Sequence, residues 1–314
     1  MSGDYRFDGR VAVVTGAGGN PSLGRAHAML LAGRGASVVV NDIGFDPETP
    51  GYEGRASAEA VAAEIREAGG KAVASTASVA SEEGGGAIVD AALQAFGRID
   101  VLVNNAGISI GAAFDKMTSR DFERHIQINL MGAYYCCRAA WPHMKAQGFG
   151  RIVNTTSASM TGFADQAAYA TSKGGLWSLT RALAAEGAGL GIHVNALSPG
   201  AFTRMVSAML QEDSPMLQHS REHLPAELSS PALAWLCHEA CEANGECIDS
   251  VGGAVQRTFI ARTRGIASPC LTIEDVAARW NAIVAEDGAE TVGLASFDTS
   301  DWKIRPYAVE NQDA

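Results

Sequence analysis

Arg10-Val11-Ala12-Val13-Val14-Thr15-Gly16-Ala17-Gly18-Gly19-Asn20-Pro21-Ser22-Leu23-Gly24 runs from an apolar, β-type segment into a glycine-rich turn, and Arg25 to Leu31 continues it as a helical stretch. Strand, turn and helix in that order form the context in which such a loop binds the pyrophosphate of a dinucleotide. The turn lets the backbone approach the phosphates, and the helix N-terminus offers unpaired N–H groups and a favourable dipole. A second strand, Ala36 to Asp42, ends in an acid eighteen residues beyond Gly24. A carboxylate there accepts hydrogen bonds from the adenosine ribose hydroxyls. It also repels a 2′-phosphate, and no arginine stands in Asn41-Asp42-Ile43-Gly44-Phe45 to neutralise it. The expected cofactor is therefore NAD rather than NADP. Gly16, Asn20, Ser22, Leu23, Gly24 and Asp42 are its candidate contacts.

Farther along stands Tyr169-Ala170-Thr171-Ser172-Lys173, with Ser157 twelve positions before the tyrosine. On a helix, residues i and i+4 share a face, which sets the ammonium beside the phenol. A free tyrosine ionises near pH ~10 and is a poor base at neutrality, but nearby positive charge stabilises the phenolate. Lys173, together with the positive charge of an oxidised nicotinamide, is expected to lower the Tyr169 pKa, and Ser157 to hydrogen-bond the substrate oxygen.

Strands and helices alternate throughout, which implies an α/β fold with a doubly wound parallel sheet of Rossmann type and a C-terminal extension. Helices are expected over 57–68, 81–96, 118–147 and 166–186, with Asn129 midway along the third. Strands are expected at 150–156, which delivers Ser157, and at 192–197. Residues 1–253 form the expected main domain. Within it, 201–230 reads as a mobile lid rich in large apolar residues (Phe202, Met205, Val206, Met209, Leu210, Met216, Leu217) over an apolar substrate cavity. Residues 254–314 form the extension, in which Thr272 caps a helix over 273–284. Arg257, Arg262 and Arg264 are a basic cluster suited to the phosphates of coenzyme A.

At 314 residues and 47% apolar content, the chain is long enough for a full core. A net charge of −11 argues against a nucleic-acid partner. No apolar run reaches membrane-spanning length, Met1-Ser2-Gly3-Asp4 does not open a signal peptide, and Glu310 to Ala314 carries no peroxisomal tripeptide. These features lead to the expectation of a soluble cytoplasmic protein of bacterial type. Cys136 and Cys137 are adjacent and poor partners for a disulfide. Cys237 and Cys241 are expected on one helix face, but with Cys247 and His238 they lack the second ligand pair of a zinc site, so buried reduced thiols and no metal are expected.

The chain resembles the short-chain dehydrogenase/reductase family from Phe7 to Gly253. The resemblance rests on Thr15-Gly16, Asn104-Asn105-Ala106-Gly107, Asn129, Ser157, Tyr169, Lys173 and Ser198-Pro199-Gly200. It implies that Asn105, Ala106 and Gly107 wall the adenine and ribose site, that Asn129 holds a water-mediated proton relay to Lys173, and that Lys173 holds the nicotinamide ribose. Pro199, Gly200 and Thr203 would contact the nicotinamide end. Two departures stand out. The turn is two residues longer than usual, with Ser22 in place of the middle glycine. This form resembles enoyl reductases, which are set aside because they space tyrosine and lysine more widely. Ser78-Val79 also replaces the usual adenine-contacting aspartate.

A narrower resemblance is to the dehydrogenase region of type 2 multifunctional enzymes, carried by Asn41 to Gly44, Trp235 to Glu239 and Arg257 to Gly265. It implies oxidation of (R)-3-hydroxyacyl-CoA thioesters, sterol side-chain thioesters included, or of free 17β-hydroxysteroids. The third reading is a non-catalytic NAD sensor. The family also implies a homodimer or homotetramer built on the 118–147 and 166–186 helices.

Overall fold

Val11–Thr15 (β1) is buried at every position, and its alternate residues point to different cores. Ala12 and Val14 pack with the helices Leu23–Gly33 (α1), Ala58–Glu67 (α2) and Ser230–Cys237 (α9). Val11 and Val13 pack with Glu82–Phe96 (α3), Gly132–Gln147 (α5) and Ala167–Gly187 (α6). A strand buried on both faces needs no polar alternation, so the unbroken apolar run is the mark of a sheet covered by helices on both sides.

A computed structural model of the chain describes residues 5–46, 48 and 57–295. The sheet continues with Ser37–Asn41 (β2), Lys71–Ser75 (β3), Val101–Asn104 (β4), Gly150–Thr155 (β5), Ile192–Gly200 (β6), Cys247–Val251 (β7) and Ala254–Thr258 (β8), in the order β3-β2-β1-β4-β5-β6-β7-β8. Pairings from β3 through β7 are parallel. The order reverses between β1 and β4, and in such sheets ligands bind in the crevice beyond the strand ends at that switch point. Serine and threonine caps start the helices where the sequence offers them. Ser22, Ser57 and Ser81 accept from the Arg25, Ala60 and Gly84 N–H groups.

The helix expected over 118–147 is not continuous. Ser119–His125 (α4) passes into a π-helical turn, Ile126–Met131, before α5 begins. The wide turn carries Asn129, and such turns gather at functional sites. The 201–230 segment holds Arg204–Met209 (α7) and Pro215–His223 (α8). α9 ends at Cys237, so Cys241 lies past the helix rather than on its face.

The chain divides into two compact units between Arg257 and Thr258. In the second, Ala261–Arg262 (β9) pairs antiparallel with Glu290–Thr291 (β10). Ile273–Ala278 (α10) has a capping box of Thr272 and Asp275, and Trp280–Val284 (α11) follows it, so the single helix expected over 273–284 is broken at Arg279. Residues 310–314 lie outside the described residues. Among the described residues no helix is long and apolar enough to cross a membrane, and no cluster of His, Cys, Asp and Glu could hold a metal ion.

Candidate active site

The glycine-rich turn is stitched to the segment after β4. Thr15 Oγ1 accepts from the N–H groups of Asn105 and Ala106, each at 3.0 Å, and Asn105 Nδ2 donates to the carbonyls of Thr15 and Gly16 at 2.9 and 3.1 Å. Gly16 has φ +64°, and a Cβ on it would sit 2.8 Å from Ala106 Cα. A Cβ on Gly24 would fall onto the Gly16 carbonyl oxygen and lie 2.7 Å from Asn105 Nδ2. Both positions need glycine because the turn closes on itself. Ser22 Oγ donates to the Gly19 carbonyl at 2.9 Å and caps α1. Asp42, buried at the end of β2, accepts from the N–H groups of Gly18 and Gly44, each at 2.9 Å. Each of its oxygens therefore keeps a lone pair for a hydroxyl. Asp42, Ser78, Val79, Ala106 and Gly107 line a narrow cavity of about 50 Å³ with Asp46, whose carboxylate takes a 3.0 Å hydrogen bond from Arg124.

A larger cavity of about 360 Å³ joins the turn to the tyrosine–lysine pair. Gly16, Ser22, Leu23, Asn105, Gly107, Ser157, Tyr169, Lys173, Pro199, Gly200 and Thr203 all line it. Asn20 is not among its lining residues. Lys173 is 3% exposed; its Nζ donates to the Thr155 carbonyl at 2.6 Å and lies 5.6 Å from the Tyr169 ring centre. Asn129 Oδ1 accepts from Ile108 N–H at 2.8 Å, while its Nδ2 donates to Ile108 O and Ser172 Oγ, each at 3.0 Å. Asn129 and Lys173 converge on Gly107, where a Cβ would lie 3.0 Å from the one and 3.5 Å from the other.

The electrostatics differ from the sequence expectation. Burial raises the Tyr169 pKa above its usual value, and a hydrogen bond from Ser157 only partly offsets it. Burial also pushes Lys173 down to about 8. The Lys173 ammonium donates to the Thr155 carbonyl, and the charge expected to lower the phenol includes that of an oxidised nicotinamide. The residues nevertheless fit a nicotinamide dinucleotide. The turn offers backbone at close approach, Asp42 stands where ribose hydroxyls are read, and Thr155 Oγ1, on the larger cavity, is buried with no hydrogen-bond partner.

A family model described as short chain dehydrogenase matches residues 10–215. The chain belongs to the short-chain dehydrogenase family. It is an oxidoreductase acting on CH–OH groups, and its family and fold are those of NAD- or NADP-binding enzymes. Peroxisomal multifunctional enzyme type 2 of Mus musculus is 43% identical over 289 residues, covering 90% of this chain and 38% of the mouse protein. A protein of Mycobacterium tuberculosis named as a short-chain type dehydrogenase/reductase is 43% identical over 287 residues, covering 91% and 97%. The structure of full-length peroxisomal multifunctional enzyme type 2 from Drosophila melanogaster superposes with a TM-score of 0.74 at 34% identity, over 92% of this chain and 47% of that one. The chain thus spans less than half the length of either multifunctional enzyme.

Several residues of this short-chain dehydrogenase's site carry no motif and were not singled out from sequence. Ser109 Oγ donates to Gln166 Oε1 at 3.3 Å, and both line the larger cavity with Phe163 and Arg204. His125 is fully buried; its Nδ1 donates to the Asp121 carbonyl at 2.6 Å, leaving Nε2 to accept from Ile110 N–H at 3.0 Å. Its ring stands edge-on to Tyr169, 6.3 Å between centres. Of the apolar residues in the segment expected to form a lid, Met205 and Val206 line the cavity, whereas Leu217 is buried in packing and Met216 is 65% exposed. The basic cluster is partly committed elsewhere, because Arg257 forms a two-pronged pair with Glu246 at 2.6 and 3.0 Å. Five cysteines are buried and Cys270 is exposed; all are free thiols. Burial raises Cys136 and Cys137 to about 12, which leaves both inert as nucleophiles.

Proposed function

We propose that the chain is an NAD-dependent dehydrogenase interconverting a secondary alcohol and a ketone on a lipid-derived substrate, in the first place a (R)-3-hydroxyacyl-CoA thioester, sterol side-chain thioesters included. The observation that supports it most is the meeting of Ser157, Tyr169 and Lys173 in one cavity whose other wall is the glycine-rich turn. In the oxidative direction Ser157 hydrogen-bonds the substrate oxygen, Tyr169 takes the hydroxyl proton, and Lys173 holds the ribose beside the nicotinamide. A bound NAD⁺ would supply the hydride acceptor for the carbinol carbon and positive charge near the phenol. Asn129 fixes Ile108 behind Gly107, and the relay of protons to Lys173 begins at that wall. Catalysis is then placement plus charge stabilisation.

NAD is preferred over NADP because a 2′-phosphate would meet Asp42, with Asp46 beside it on the narrow cavity. Arg124, the nearby cation, is already paired with Asp46. The thioester reading draws on the likeness to multifunctional enzymes. The apolar Phe163, Met205 and Val206 on the cavity keep free 17β-hydroxysteroids as the second reading. The chain works as a homodimer or homotetramer joined through α5 and α6 and in the cytoplasm, although relatives carry peroxisomal names.

The test is NADH or NADPH formation from 3-hydroxybutyryl-CoA, a long-chain (R)-3-hydroxyacyl-CoA, estradiol and testosterone, with each of NAD⁺ and NADP⁺. The account predicts the highest kcat/KM for a thioester with NAD⁺. A preference for the steroids moves the substrate to the second reading. Tight NAD⁺ binding with no turnover on the panel overturns the catalytic reading in favour of a sensor.

A further inference from the structure

Arg204 opens α7, immediately after Thr203, whose hydroxyl caps the helix by accepting from Val206 N–H at 3.3 Å. Its own backbone N–H reaches the Pro21 carbonyl at 3.4 Å, which ties the first turn of the lid to the glycine-rich turn. The side chain folds back over the same turn. A Cβ placed on Gly19 would lie 2.5 Å from one guanidinium nitrogen and 2.9 Å from both Cζ and Nε. The guanidinium therefore packs directly against Gly19. Glycine at that position is what permits the approach.

Pro21, Ser22, Leu23, Thr203 and Arg204 then form one wall of the larger cavity. A planar fork of five N–H donors that is always charged suits the oxygens of a phosphate. We infer that Arg204 is a phosphate-binding residue: the pyrophosphate of the bound dinucleotide takes its guanidinium N–H donors, and α7 is thereby held closed over the nicotinamide end. The inference rests on the dinucleotide reading of the site. It adds a residue from the lid to a phosphate site otherwise made of backbone, and it couples lid closure to cofactor binding.

The test is calorimetric titration of the wild type, Arg204→Met and Arg204→Lys with ADP-ribose, which carries the pyrophosphate, and with adenosine, which does not. Hydrogen exchange over residues 204–209 is followed in parallel. Arg204→Met is expected to weaken ADP-ribose binding on the order of tenfold or more, the loss that charge-assisted hydrogen bonds give, with adenosine affinity held within about twofold. Arg204→Lys is expected to recover part of the loss. ADP-ribose is expected to slow exchange over 204–209 in the wild type but not in Arg204→Met. Unchanged ADP-ribose affinity in Arg204→Met, or an equal loss for both ligands, overturns the inference while the dinucleotide reading stands. Failure of the wild type to bind ADP-ribose removes the dinucleotide reading and the inference with it.

Discussion

Lys173 carries a stability cost inside the candidate site. Its pKa falls from 10.5 to about 8 because burial penalises the charged form. Between those values the unfolded chain binds more protons than the folded one, so stability rises as pH increases through that window and the full cost is carried below about pH 8. Lys173→Met should therefore stabilise the ligand-free protein at neutral pH by about 1–3 kcal/mol, the upper figure reduced by the donor that Thr155 O loses. Urea unfolding at pH 7 measures it; a destabilised variant would show that the ammonium is not strained by burial. The same residue explains what the sequence could and could not tell. The four-residue interval placed phenol and ammonium on one helix face. It could not reveal that the ammonium bonds Thr155 O, because that carbonyl comes from β5, distant in sequence.

At the scale of elements, the π-helical turn was the least legible feature. An apolar periodicity near 3.6 does not register one extra residue, so 118–147 reads as a single helix. A polar Asn129 inside Ile126-Gln127-Ile128-Asn129-Leu130-Met131 was the available signal. The turn matters because the Asn129 side chain takes both the N–H and the C=O of Ile108, a non-helical segment with no ladder partner for those groups. Asn129→Ala should leave them unpaired and cost about 2–4 kcal/mol, and loosening of the Gly107 wall should lower kcat more than it raises KM. Denaturant midpoints and steady-state kinetics test the two parts; an unperturbed Asn129→Ala enzyme would show that Ile108 is held by something else. Strand and turn chemistry were far easier to read. The unbroken run VAVV and the caps Ser22, Ser57 and Ser81 each follow from one local physical rule. Ser109, Gln166, His125 and Arg204 were invisible for the opposite reason: each comes from a different element, with no spacing that links it to the motifs.

Across the whole molecule, alternating strands and helices account for a parallel sheet covered on both faces, and the candidate site lies where its strand order reverses. The opposite ends of β1 and β4 are held by Asp100, fully buried, which accepts from Val11 N–H at 2.9 Å and from Arg10 and Arg98. Acid should loosen the fold through its buried histidines. His27, bonded to Ser230 Oγ at 2.8 Å between α1 and α9, is held neutral by burial down to about pH 3, against an ordinary value of 6.5. The unfolded chain takes up that proton first, so stability is lost as pH falls below 6.5, about 2 kcal/mol by pH 5 from this residue. Burial lowers His125 and His193 as well, in the same direction. His27→Gln should flatten the change in urea midpoint between pH 7 and pH 5; an unchanged slope would place the acid sensitivity elsewhere. The central claim is that the Tyr169 phenol carries the proton of a CH–OH oxidation run with a bound dinucleotide. Its most direct measurement is kcat of Tyr169→Phe beside its NAD⁺ affinity. The account predicts a loss of roughly 10²–10⁴ in kcat, the usual worth of a positioned acid or base, with NAD⁺ affinity close to that of the wild type. Wild-type turnover in Tyr169→Phe would contradict it.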